Sequence, residues 1–420
     1  MAYLTKIYTA IIFLLYCYQY VYTETIKDHR NRINSTQIKQ TYRFELLPDD
    51  GSYTIQMINI SANVTVIGKE ASGALIILER IFFGLKNEQE ILQAHKLESA
   101  NVKHITNDSL VQIIGIADNH SNQEIEKNIY FELPKHVNID FKIEGGDIAI
   151  NDIRGNSVLE TLGGDISIIN SSGHIDITTE GGDINLNNLE GTLRSHTSGG
   201  KLITKNSNGE LNLSTVGGDI RLENSTGVLD IQSSGGSIKL INIKSEKIIC
   251  HASGGTINGN NISGNSVLKS FGNDIELTDI SGDVKLYTSG GSITINQFRG
   301  RTKCEVESGD IILNNAAGAI ESFTSSGDII LNLIYDSSLK NNSIYLETHS
   351  GDLTANIPKG LSANIETIIH HTTSVKKLNS EIALDIKIEN NKIIGKRIIS
   401  GGMIPINFIA HQGEININEQ

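Results

Sequence analysis

From Gly145 onward, apolar and polar residues alternate with a period of two, and the alternation itself recurs every 18 residues. The recurrence can be counted from a reference position occupied by Gly146, Gly164, Gly182, Gly200, Gly218, Gly236, Gly255, Asn273, Gly291, Gly309, Gly327 and Gly351; one step is 19 residues and the last is 24. Two residues further on stand Ile148, Ile166, Ile184, Leu202, Ile220, Ile238, Ile257, Ile275, Ile293, Ile311, Ile329 and Leu353, and most positions two beyond those are again Ile or Leu. The position between is variable and often polar. A second glycine nine residues on, from Gly155 to Gly318, divides each unit into two turn-and-strand halves. Period-two alternation predicts strands with one face in and one face out. A fixed short period predicts stacked rungs. The fold class expected is all-β: a single-stranded parallel β-helix (solenoid) of about twelve 18-residue rungs, roughly 55 Å long at the ~4.8 Å strand spacing.

Polar residues recur as well. Six residues after the reference position lie Asp152, Asn170, Asn188, Asn206, Asn224, Asn242, Asn261, Asp279, Gln297 and Asn315. This reads as a buried structural ladder of amides that satisfies groups left unpaired at a tight corner. Three before the reference lie Thr161, Thr179, Thr197, Thr215, Ser233, Ser270, Thr288, Thr324 and Thr348, a second ladder. Cys250 and Cys304 share an inward column with Leu159, Ile177, Leu213, Ile231, Leu268 and Leu286. They are three rungs apart, about 14 Å at strand spacing, whereas a disulfide needs Cα atoms within about 7 Å. Two buried free thiols are expected.

Outside the repeat, the chain divides into a signal peptide (1–23), a linker (24–41), an N-terminal β-rich cap with one helix (42–143), the repeats (144–356) and a closing segment (357–420). The leader has one early charge, Lys6, then an apolar run from Ile7 to Cys17 that is signal-peptide length and short for a membrane span. Cys17 lacks the small preceding residue of a lipoprotein box. Within the cap, strands are expected at 53–60, 63–67, 74–82, 110–116, 128–133 and 137–143, and a helix at 87–99. The expected location is the periplasm, the cell surface or the medium. A net charge of −13 argues against nucleic acid as partner.

The recurring Asp147, Asp165, Asp183, Asp219, Asp274, Asp310, Asp328 and Asp352 are the first candidates for chemistry. The nonapeptide calcium repeat does not fit, because apolar residues occupy its ligand positions. Carboxylates ~4.8 Å apart approach the separation used by retaining glycosidases, but the rungs lack the long loops that would wall a groove. The reading favoured is turn chemistry, each Asp bonding its own backbone. His370-His371 is the only adjacent histidine pair, and no zinc-ligand spacing occurs. No catalytic residue, metal or cofactor is assigned. A candidate contact face is formed by outward Ile312 and Ile330, with Tyr287, Phe323 and Tyr345 on the other sheet. The competing expectation is that the closing segment folds back over these residues.

The phrases "GGDI" and "SGDI", the approach "FELPKHVNIDFKIEGGDI" and the terminal "GEININ" resemble the bacterial putative-adhesin β-strand repeat family, a domain of unknown function related to the auto-transporter adhesin head domain. The resemblance runs from about Tyr53 to Gln420. It implies a parallel β-solenoid exported to the envelope or surface, with no known catalytic residues. The function expected is therefore a non-catalytic adhesin-like surface or envelope protein, with an unknown protein or glycan, or a second copy, as partner. A carbohydrate-active enzyme on a parallel β-helix and an envelope sensor module are the alternatives.

Overall fold

The computed structural model describes residues 8–10, 19–28, 35–45, 47–84, 88–97, 100–115 and 125–420. Most of the leader, Cys17 included, lies outside them. Among the described residues the protein is all-β apart from one ten-residue helix, Glu88–Leu97, and two short 3₁₀ turns. It divides into two compact units, Met1–Gly209 and Glu210–Gln420.

In the first unit, successive repeats pair in parallel and in register: Ile148 with Ile166, Ile166 with Ile184, and Ile184 with Leu202. The second halves pair likewise, Leu159 with Ile177 and Ile175 with Leu193. Strand Ile166–Thr179 alternates buried and open positions in each half, as the pattern predicted. The stack also extends backwards, out of sequence order. Thr54–Ile58 pairs in parallel with Asn138–Ile143, and Asn63–Lys69 with Ile148–Asn151. The stretch before the first repeat is thus itself a rung, separated from its neighbour by an excursion. That excursion holds the helix and the antiparallel strands Ala74–Phe83 and Ile125–Pro134.

The expected linker is a correction. Gln19–Asp28 and Ser35–Phe44 form an antiparallel pair, and the latter also pairs with Ala74–Phe83. Residues 35–44 look patternless because polar side chains take inward places. Thr36 is buried beside Ile38, Tyr42 and Phe44, and Gln40 accepts a hydrogen bond from the buried Arg80. Arg80 Nη1 also meets His95 Nδ1 at 3.0 Å and ties the end of the helix to the sheet. Burial and the Arg80 charge pull the His95 pKa down to about 4, so the ring stays neutral and accepts that bond.

In the second unit the same register runs from Ile220–Ile238 through Ile275–Ile293 to Ile329–Leu353. The 19-residue step is absorbed at Ser245/Lys247, where the pairing with both neighbours shifts by one residue, as at a bulge. The 24-residue step forms a loop held by Arg299, whose guanidinium lies 2.7 Å from Asp336. The closing segment supplies a full rung: Ile404–Gln412 pairs with Ile344–Ser350, and Ile415–Glu419 with Leu353–Ile357. Beyond it lie Ala363–Ile369, Lys392–Ile399 and finally Asp385–Glu389. Cys250 and Cys304 are buried and free, and burial pushes the Cys304 thiol up to about 11.

The amide column is the second correction. Its members are exposed, apart from the half-buried Asp152, and none is buried. What they share is a left-handed backbone, with φ from 50° at Asn224 to 64° at Gln297. Asn tolerates that conformation better than other side-chain-bearing residues. Their amides do stack in part: Asn188 Nδ2 donates to Asn170 Oδ1 at 2.8 Å and Asn261 to Asn242 at 3.0 Å. The main selection is on the backbone. Asn188→Gly should therefore change stability by only a few tenths of a kcal/mol, whereas Asn188→Val should cost about 1–2 kcal/mol in urea denaturation. Equal losses in the two variants would show that the amide stack, not the turn, sets the residue.

Candidate functional site

The hydroxyl column is buried. Thr179 Oγ1 donates to Gly164 O of the preceding rung at 3.1 Å and accepts from Gly182 N of its own at 3.2 Å. Thr197 repeats this with Gly182 O and Gly200 N, and Ser233 with Gly218 O and Gly236 N. Each of these three hydroxyls thereby satisfies a main-chain acceptor and donor at a corner where the ladder of strand bonds is interrupted, whereas Thr324 and Thr348 donate to Gly309 O and Gly327 O while the N–H groups of Gly327 and Gly351 bond to the carbonyls of Ser350 and Gln412.

The aspartates also bond between rungs, not to their own backbone as the sequence suggested. Asp147 Oδ1 accepts from Asp165 N at 2.9 Å, Asp165 Oδ1 from Asp183 N at 2.7 Å, and Asp183 Oδ1 from Lys201 N at 2.7 Å. In the second unit Asp310 Oδ1 accepts from Asp328 N, Asp328 from Asp352 N, and Asp352 from Glu414 N. Asn63 takes the same role for Asp147 N in the rung before the first repeat. One oxygen of each of these side chains is thus committed to the main chain, a structural role. Among the described residues no group of three or more His, Cys, Asp or Glu is arranged to hold a metal ion.

The candidate contact residues are not brought together as one patch. Ile312 and Ile330 are register neighbours and half-buried. The closing segment adds rungs to the stack instead of folding back across them. Phe323 lies in register between Glu305 and Glu347, while Tyr345 belongs to a different column, beside Glu321. Tyr287 pairs with Glu305 and its ring meets Phe271 edge-on at 6.4 Å. The apolar side chains are therefore interleaved with carboxylates.

Beside Ile312 and Ile330 runs an amide ladder that the sequence reading missed. Asn314 donates to Asn296 Oδ1 at 2.8 Å, Asn332 to Asn314 at 2.7 Å, Asn356 to Asn332, and Asn418 to Asn356 at 2.7 Å. The signal was available, since four of these residues stand five after the reference position.

Tyr345 instead opens a polar cluster near the end of the stack. Its hydroxyl donates to Glu347 Oε2 at 2.6 Å, and Glu347 Oε1 lies 2.9 Å from His411 Nε2. The His411 ring stacks on His370 at 4.5 Å and faces His349 at 4.9 Å. The three imidazoles come from Ile344–Ser350, the end of Ala363–Ile369, and Ile404–Gln412, which neighbour one another in the stack. His371 has a left-handed φ of 55°, and its ring lies 6.1 Å from that of His370. Burial raises the Tyr345 hydroxyl, helped by Glu347, to about 12. Burial pushes Glu347 upward, but the hydrogen bonds from Tyr345 and His411 outweigh it and hold the carboxyl below its usual range. His370 is held below its ordinary value by burial and then by Lys392, His411 and His371, against Glu347.

A cavity of about 40 Å³ beside Arg80 and Gly115 in the first unit has room for a few waters. It is far below the size of a substrate pocket.

Residues 202–393 match the Toastrack DUF4097 family, a domain of unknown function. The family resemblance carried by the repeated turn phrases holds for that segment. Among solved structures, the chain is similar to the crystal structure of a "putative cell adhesion protein" from Clostridium sporogenes, at 10% identity over 91% of this chain and 100% of that one, with a TM-score of 0.17. A TM-score that low carries no weight for the fold. No curated protein matches the chain. Among the described residues no helix is long and apolar enough to cross a membrane.

Two outcomes follow from these contacts. Asp183→Asn retains an acceptor oxygen and should leave stability nearly unchanged, while Asp183→Ala should cost about 1 kcal/mol; equal behaviour of the two would remove the rung-to-rung role. Histidines with lowered folded pKa take up protons more readily once unfolded, so the stability His370 contributes is present above its ordinary 6.5 and lost as pH falls below it. The fall in melting temperature from pH 7 to pH 5 should therefore be shallower in His370→Gln than in the parent, and parallel curves would contradict it.

Proposed function

We propose that this chain is an exported, non-catalytic, adhesin-like protein: a single-stranded parallel β-solenoid that presents a long, regular surface to a protein or glycan at the cell envelope. The observation that carries this reading is the commitment of the recurring polar columns. Hydroxyls and aspartates bond from one rung to the next, and the recurring asparagines hold a left-handed corner. Recognition is left to the outward positions, which vary from rung to rung: Ser167, Asn185, Arg221, Lys239, Asn258, Glu276, Thr294. The match to a family of unknown function, the short apolar leader and the in-register stacking at 18-residue offsets support it.

The contact face within this reading comprises the rungs from Gly291 to Gly351, with Ile312 and Ile330 at its centre. Half-buried apolar side chains in register on the outward face of an otherwise polar sheet favour contact. The chain from residue 24 onward, screened on a glycan array and by pull-down from envelope extracts, should retain a ligand that Ile312→Lys with Ile330→Lys weakens while the melting curve stays in place. Unfolding of that double variant would instead assign the two residues to internal packing, and the contact face would be withdrawn.

A further inference from the structure

The last strand of the second unit, Asp385–Glu389, is exposed at all five positions and pairs on one side only, with Lys392–Ile399. Among the described residues its other edge has no strand beside it. The hairpin turn, Asn390-Asn391, has φ of 48° and 57°, the two-residue turn in which the flanking pair, here Glu389 and Lys392, exchanges main-chain hydrogen bonds. Alternation then fixes the rest. Asp385, Lys387 and Glu389 bond to the partner strand, and the N–H and C=O groups of Ile386 and Ile388 point to the open edge. The side chains of Ile386 and Ile388 are 43% and 49% exposed, an apolar pair on one face of an unpaired edge.

We propose that this edge is a homodimer interface in which Asp385–Glu389 of two copies pair antiparallel about Ile386. The occupant is chosen by complementarity. With Ile386 opposite Ile386 of the second copy, Leu384 faces Ile388, and Asp385 faces Lys387, twice by symmetry. Apolar residues meet on one face and opposite charges on the other, and the outward main-chain groups of Ile386 face each other as an antiparallel pair requires. Shifting the centre by one residue, to Lys387, sets Lys387 against Lys387 and Asp385 against Glu389, which repel. Shifting it by two, to Ile388, sets Lys387 against Glu389 but places Ile386 opposite Asn390 of the hairpin turn and leaves Leu384 outside the contact. Only the register about Ile386 joins opposite charges with apolar residues facing apolar residues throughout. A two-fold contact of this kind closes on itself and stops at the dimer. Its small area predicts weak, concentration-dependent association. The site is separate from the Ile312/Ile330 face.

Sedimentation velocity of the full chain over a concentration series tests it. The parent should show a monomer–dimer equilibrium. Lys387→Asp and Asp385→Lys, each on its own, should raise the dissociation constant by about tenfold or more. The exchanged variant carrying both changes should dimerise like the parent, and an equimolar mixture of the two single variants should recover the dimer. A parent that is monomeric throughout, or a dimer indifferent to the single charge reversals, would overturn the proposal. The substituted residues are exposed, so an unchanged circular dichroism melt is expected for every variant.

Discussion

The carbonyl oxygen of one reference glycine lies where the next would carry a side chain. A Cβ on Gly182 would stand 2.0 Å from Gly164 O, and one on Gly236 the same distance from Gly218 O. Backbones can approach this closely only if the corner keeps its glycine, and once they do, the register of both flanking strands is set. Every other recurring feature follows from that contact. The inward Ile and Leu columns fall in line because the corner does, and β-branched side chains fill such a wall with a single rotamer.

A close-packed corner leaves main-chain donors and acceptors that cannot reach a strand partner. Three residue types answer this in three ways. The buried Thr or Ser bridges the reference residues of two rungs, the Asp accepts one N–H from the next rung, and the Asn supplies a left-handed backbone at the far corner. Each bond contributes about 1 kcal/mol net. Regular Asp spacing thus has a mechanical cause, and a row of carboxylates at strand spacing is no evidence for a row of active sites.

The repeats were legible from sequence because inward positions recur at a fixed interval. The out-of-sequence rungs were harder. Ile148 sits beside Val64 across the excursion holding the helix, and Ile415 beside Leu353 across the closing hairpins. Insertions hid the period although the turn phrases themselves survived, as in "GEININ". Ser35–Phe44 escaped because Thr36 and Gln40 face inward, where a binary pattern expects apolar residues. The polar cluster escaped for another reason: Glu347, His370 and His411 lie far apart in sequence and meet only through the order in which the closing strands stack. Adjacency drew attention to His370-His371, but the ring stacked on His370 at 4.5 Å is His411.

Within the second unit, the places where chain and period part company carry the distinctive chemistry. The 24-residue step adds the loop pinned by Arg299. The strands after Leu353 assemble the imidazole row and leave Asp385–Glu389 with an open edge. This partition has a physical basis. A middle rung is bounded on both sides by identical corners, so its inward and corner positions answer to two neighbours at once and only the outward side chains are free to differ. A terminal rung answers to one neighbour. Its other side can accept antiparallel hairpins, residues drawn from distant segments, or a second chain, without disturbing the register that the glycines impose.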